Sequence, residues 1–230
     1  TGLGCDHHTF VRTYEGRKVR GAQYDMEGNL RLAVAHYQKL CEKYSYKSTL
    51  KSVDTPFIDE AQHDPEDDDN EDAPKGILAA PAASVLMKVL YAARLARPDL
   101  SRSVCFLARE CTRWTRHCDR ALHRIMCYIH STYELRLEGW VGDDVGGCSF
   151  HTYADADFAG DSVSQRSTSR VHLAIHGSHS IYPLQGLSSK QDAVACSTPE
   201  AEFYAGCMGY RKVMIPALQL WDVLGPDMMV

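Results

Sequence analysis

The sequence predicts an α+β chain, and three observations carry that prediction. Between residues 30 and 44, and again from 82 to 131, apolar side chains recur at helical spacing. From Tyr133 onward the texture changes to short apolar segments separated by Gly, Asp and Ser turns, which read as strands. Finally, "STPEAEFYAG" sets a capping residue and a proline ahead of an apolar run, as helix starts do.

Thr9 to Tyr14 and Val19 to Tyr24 read as short strands around the turn-prone "EGRK". Asn29 is placed to cap a helix whose apolar face is Leu30, Val34, Tyr37, Leu40, Cys41 and Tyr44. "VDTPFIDEAQHDPEDDDNEDAPKG" breaks all periodicity and reads as a solvated acidic linker rather than a metal-binding loop. Ala82 to Ala96 forms a helix stopped by Pro98. Ser101 to about Arg113 and Cys118 to Ser131 form two more, with Asp119 near the start of the last. Tyr133 to Trp140, Cys148 to Asp157, Ser167 to His176 and Ser180 to Leu187 are the strands. Thr198 caps a final helix to about Gly209, and Pro216 kinks or interrupts the apolar stretch through Trp221 and Leu224.

Composition narrows the function class. Nine cysteines, odd in number and scattered, with no Cys-x-x-Cys pair, argue for free thiols in a reducing compartment, hence an intracellular protein. No apolar run reaches the roughly 18 residues of a membrane helix, so no membrane partner is expected. The chain starts at Thr1 without Met, and reads as an internal piece of a longer protein. Its net charge of −5 is set by ten acids between Asp54 and Asp72, a span without Lys or Arg. The remainder is net basic, which suits a nucleic-acid partner.

The candidate site starts at "TYADADFAGD". Residues two apart on a strand share a face, so Asp155 and Asp157 project together. Glu200 and Glu202 sit in the first turn of the last helix, where carboxylates are favoured for capping alone. Strand acids followed by helix-start acids are also what a divalent-metal site needs, because hard cations take oxygen ligands held on rigid elements. His117, Cys118, His123, Cys127 and His130 crowd one segment. Their spacing allows zinc, but a helix core with half-exposed histidines is the preferred reading. From Arg94 to Arg136 the chain carries nine Arg against four acids. On one continuous helix Arg109, Arg113, Arg116, Arg120 and Arg124 form a single stripe suited to a duplex backbone, or an ordinary solvated face.

The order of the motifs resembles the ribonuclease H domain of copia-type retrotransposon polyproteins. The matching positions are Tyr153, Asp155, Asp157, Phe158, Ala159 and Gly160; Arg166, Ser167, Thr168 and Ser169; Ser189, Lys190 and Gln191; and Glu200, Ala201, Glu202 and Phe203. Upstream, "ASVLMKVLYAARLARPDL" and "GLGCDHH" are similar to the reverse-transcriptase part of the same polyproteins. The resemblance implies a partial ribonuclease H-like domain of three antiparallel strands and a helix, after a mostly helical thumb/connection region. It divides the chain into a post-palm segment (1–56), the acidic linker (57–78), a helical connection (79–146) and a truncated ribonuclease H-like domain (147–230).

The activity it implies is metal-dependent cleavage of RNA in RNA–DNA hybrids during reverse transcription. Two Mg²⁺ ions would be held by Asp155 and Glu202 as catalytic ligands, with Asp157 and Glu200 as neighbouring candidates. Lys190 and Gln191 would join the arginines in contacting nucleic acid. Hybrid or duplex nucleic acid and the rest of the Pol polyprotein are the implied partners, and a cytoplasmic particle or the nucleus the implied location. The departures are that Arg170 stands where the family has Gly, Pro199 where it has Thr, and Cys118 where it has Trp. The polymerase active site and the later carboxylates fall outside the chain, so the fragment is expected to be inactive as it stands. The alternative expectation is a degenerate or domesticated module that binds nucleic acid without cutting it.

Overall fold

The protein has an α+β fold in a computed structural model that describes residues 4–46, 49–57, 74–160 and 164–224. Most of the expected acidic linker lies outside the described residues. The chain divides into two compact units: one of Thr1–His7 and Tyr24–Leu137, the other of His8–Gln23 and Glu138–Val230.

The first unit is a helical core. In α1 (Glu27–Lys43) the buried residues Leu30, Ala33, Val34, Tyr37 and Cys41 keep the helical period. The helix starts two residues before the expected cap. The Glu27 N–H donates to the Asp25 carboxylate at 2.7 Å, while Asn29 lies inside the first turn with its Oδ1 buried and unpaired. The reason is local: an acceptor two residues ahead of a free N–H satisfies it sooner than one inside the turn. Helix α2 (Ala82–Leu95) buries Val85, Leu86, Val89, Ala92 and Ala93. It stops before Arg97, a fully buried guanidinium. Arg97 Nε and Nη2 donate to Asp99 at 3.0 and 2.8 Å, and Nη1 and Nη2 donate to the Thr132 carbonyl and hydroxyl at 2.8 and 2.9 Å.

Helix α3 (Ser101–Arg109) gives way to a 3-10 turn at Glu110–Thr112, and α4 (Arg116–His130) comes after an extended Thr115. Asp119, in the first turn of α4, is buried and accepts from Ile77 N–H (2.6 Å), Leu78 N–H (3.1 Å) and Trp114 Nε1 (2.7 Å). One carboxylate thus ties the segment ahead of α2 to the start of α4.

The second unit holds a six-stranded sheet, apart from the end residues of β1, β2 and β3. Its order is β1 (Asp6–Tyr14), β2 (Arg17–Asp25), β3 (Leu137–Val141), β6 (Ser180–Lys190), β5 (Thr168–Gly177), β4 (Cys148–Asp157). The β4, β5 and β6 strands pair antiparallel, and β3 joins β6 with Trp140 opposite Ile181. The hairpin β1–β2 closes through Glu15 and Gly16, both at positive φ (46° and 79°), the geometry of a type I′ turn that matches strand twist.

After the sheet come α5 (Thr198–Gly209), a π turn (Tyr210–Met214) and α6 (Ile215–Leu224). Ser197, rather than Thr198, caps α5: the Glu200 N–H donates to Ser197 Oγ at 3.4 Å, and Cys196 N–H donates to Glu200 Oε2 at 2.7 Å. The wide turn ends two residues before Pro216 and accommodates its missing N–H without ending the helical path. Ala201, Ala205, Gly209 and Val213, four apart, form the buried edge of this helix. Ala201 and Ala205 meet Ala156 and Ala195, and Gly209 lies against Val171 and Thr152. Small residues at that spacing let the helix lie close on β4 and β5.

Candidate binding face on β4 and β5

Alternation along β4 separates its two faces. Thr152 and Ala156 point to α5, so His151, Tyr153, Asp155 and Asp157 point to the other side. Register brings their partners: Arg170 stands opposite Asp155, His172 opposite Tyr153, and His176 opposite Ser149.

The result is an open row of rings ending in charge. Tyr153 stacks on His172 (6.3 Å between centroids, 27° between planes), and His151 lies 4.7 Å from His176. Burial lowers the His176 pKa below the ordinary histidine value, and the neighbouring His151 and His172 add to the effect. At the other end, Arg170 Nη1 lies 3.5 Å from Asp155 Oδ2 and Nη2 3.4 Å from Asp157 Oδ2. The side chain of Asp155 is 64% exposed and that of Tyr153 is likewise open.

The structure therefore brings Asp155 and Asp157 together on one face, as expected, but around a guanidinium. Glu200 is engaged in capping α5, and Glu202 comes two residues later, half-buried on the same helix. Among the described residues, no group of three or more His, Cys, Asp or Glu side chains is arranged to hold a metal ion. Arg170 stands where a cation between the two aspartates would stand. The donor set thus does not fit Mg²⁺. Gln191, 7% exposed, donates through Nε2 to Ser169 Oγ and to the Ala201 carbonyl, both at 2.9 Å, tying β5 to α5. Lys190 ends β6 opposite Thr168.

The arginines lie in the first unit, on an interrupted path. Arg109 ends α3, Arg113 comes after the 3-10 turn within 3.7 Å of Glu110, and Arg116, Arg120 and Arg124 belong to α4. Arg124 donates to the Thr55 carbonyl and hydroxyl, each at 3.0 Å. The single continuous helix that a stripe requires is absent there, because Glu110 to Thr115 changes conformation between α3 and α4. His123 in α4 packs into the core: its ring nitrogens lie 2.9 Å from the Tyr37 hydroxyl and 3.4 Å from Cys127 Sγ.

Sequence reasoning missed the histidine and tyrosine row. Its signal was present in the period-two placement of His151, Tyr153 and Asp155 and in His172 and His176, but only strand register shows that the two sets meet.

Comparison with known proteins gives one curated relative. The chain is 33% identical over 130 residues to the secreted RxLR effector protein 161 of Plasmopara viticola, covering 54% of this chain and 83% of that protein. No protein-family model matches, and no solved structure matches. This relative overturns the retrotransposon resemblance, and with it the reading as a reverse transcriptase/ribonuclease H fragment or its nucleic-acid-binding remnant. It also overturns the placement in a cytoplasmic particle or the nucleus, since the relative is secreted. The motifs that carried the resemblance have local duties here. Ser197 and Glu200 cap a helix, Gln191 ties helix to sheet, and Gly160 sits so close to the Asp157 carboxylate that a Cβ would collide with it.

Proposed function

The chain belongs to the family of the secreted RxLR effector protein 161, and from that membership we propose that it is a secreted effector acting by binding, through the open face of β4 and β5. The observation that carries this reading is the row His151, Tyr153, His172 and His176, continued by Arg170 and Asp155. Stacked rings offer rigid contact area at little entropic cost, and the ion pair at one end supplies orientation. As architecture alone, we read β4, β5 and β6 with α5 as a ribonuclease H-like unit of three antiparallel strands and a helix, without the nuclease.

The thiols agree with a destination that is reducing. All nine cysteines are free, and only Cys196 and Cys207 are exposed. Burial raises the thiol pKa of Cys5, Cys41, Cys105, Cys111 and Cys118, which keeps them from the reactive thiolate form. Such a set of free thiols suits function in a reducing compartment. The test is expression in recipient cells challenged with a defence elicitor. The wild type is expected to alter the response, and Tyr153→Ala combined with His172→Ala to leave it at the level of empty vector. Equal effects of the two proteins, or none from the wild type, overturn the reading.

A further inference from the structure

Helix α5 buries one edge on the sheet and leaves the opposite edge bare. Phe203, Gly206, Cys207 and Tyr210 fall at i, i+3, i+4 and i+7, one line along the helix surface. Phe203 is 72% exposed and Tyr210 61%. Together with Arg211 these residues line a shallow apolar groove. Its floor is open at Gly206, where a Cβ would meet nothing within 4 Å.

The stripe is complementary to itself. About a point between Gly206 and Cys207, Phe203 and Tyr210 lie at equal distance on either side. Acidic Glu200 and Glu202 precede them, and basic Arg211 and Lys212 come after, with no charged residue between Glu202 and Arg211. At 100° per residue Glu200 and Arg211 fall on the same flank of the stripe. A two-fold axis perpendicular to two antiparallel helices keeps each flank on its own side. It therefore sets Phe203 of one copy against Tyr210 of the other, and brings Glu200 to within about 3 Å along the axis of Arg211, within reach of its long side chain. Antiparallel pairing also opposes the helix dipoles. A partner of one charge sign would leave one end of the helix unmatched.

We propose that the chain forms a homodimer through α5, antiparallel, with the two-fold axis passing beside Gly206 and Cys207. Because α5 and the ring row lie on opposite faces of the same sheet, pairing leaves both copies of the binding face open.

The experiment uses the full chain under reducing conditions. Sedimentation velocity is expected to show dimer at about 100 μM, where a contact of micromolar affinity is saturated. A short bis-maleimide in a Cys196→Ser background should join two copies through Cys207. Phe203→Ser and Arg211→Glu, both at exposed positions, should each weaken the dimer by about tenfold or more while leaving far-ultraviolet circular dichroism unchanged. A wild-type chain that stays monomeric overturns the proposal, whether solvent or another part of the chain covers the face. A dimer that neither substitution weakens, or that Cys207 does not cross-link, overturns it as well.

Discussion

The two units hold themselves together by different means. The first packs long side chains: Leu30, Tyr37, Leu86, Leu107, Leu122, Ile125 and Met126 are all fully buried in one cluster. The second is built on backbone pairing. Its buried clusters are small, Ala156 with Ala195, Ala201 and Ala205, and Val171 with Leu173 and Val213. Apolar burial scales with the area removed from water, so the first unit draws far more from it. What the second gains is surface. Small residues between sheet and helix keep the layers thin and leave large side chains, Phe203 and Tyr210 on one side and Tyr153 on the other, facing outward. The difference separates a unit that supplies stability from one that presents chemistry.

Four measurements break or sharpen that contrast. The largest effect is expected from Asp119→Ala, which leaves two backbone N–H groups and the Trp114 indole N–H without their acceptor. About 4 kcal/mol of first-unit stability should be lost in urea titration. A loss under about 1 kcal/mol would show that the carboxylate is not a keystone. Next come paired truncations. Leu86→Ala in the first unit should cost about 3 kcal/mol, and Val213→Ala in the second only about 1.5 kcal/mol. Equal costs, read by hydrogen exchange in each unit, would erase the distinction between the cores.

A gain of about 1 kcal/mol is expected from Glu15→Gly, because a non-glycine residue at φ 46° in the β1–β2 turn carries strain that glycine does not. An unchanged melting temperature would refute it. The smallest effect belongs to His176. Its pKa is lowered in the fold, so the unfolded chain takes up the proton first as pH falls. The stability contributed by the neutral ring is complete above the unfolded value of about 6.5 and is lost as pH drops through it toward the lower folded value. His176→Gln should flatten the acid limb of the melting profile of the second unit and leave the first unchanged. An acid limb equally steep in the variant would assign the pH dependence to other groups.

Much of the fold was legible, for reasons visible in particular residues. Strand β4 falls on Cys148–Asp157 and helix α2 on Ala82–Leu95, because turn and proline signals bound both. The helix starts differ from the expected caps: Met26 is the cap position of α1, with Asp25 rather than Asn29 accepting from the Glu27 N–H, and Ser197 rather than Thr198 caps α5, since several polar residues compete at each helix start. The joining of β1 and β2 to the same sheet as β4 to β6 depends on pairing distant in sequence, which periodicity does not carry. Arg97, buried between α2 and Thr132, looked like any arginine. For the site, the shared face of Asp155 and Asp157 was readable from a period of two. That Arg170 would stand between them was not, although its presence in place of glycine was the departure to notice. Short polar motifs are poor witnesses to ancestry when each residue in them also has a capping or bracing task.

The π turn at Tyr210–Met214 has a consequence for the rest of its helix. A turn of about five residues shifts the angular phase of everything after it by one residue relative to an unbroken α-helix. Phe203 to Tyr210 thereby stand as a patch of fixed length, bounded on one side by the capped start at Ser197 and on the other by a change of phase. Removing one residue from that turn would let an unbroken α-helix run from α5 into α6, and the boundary at Tyr210 would go with it.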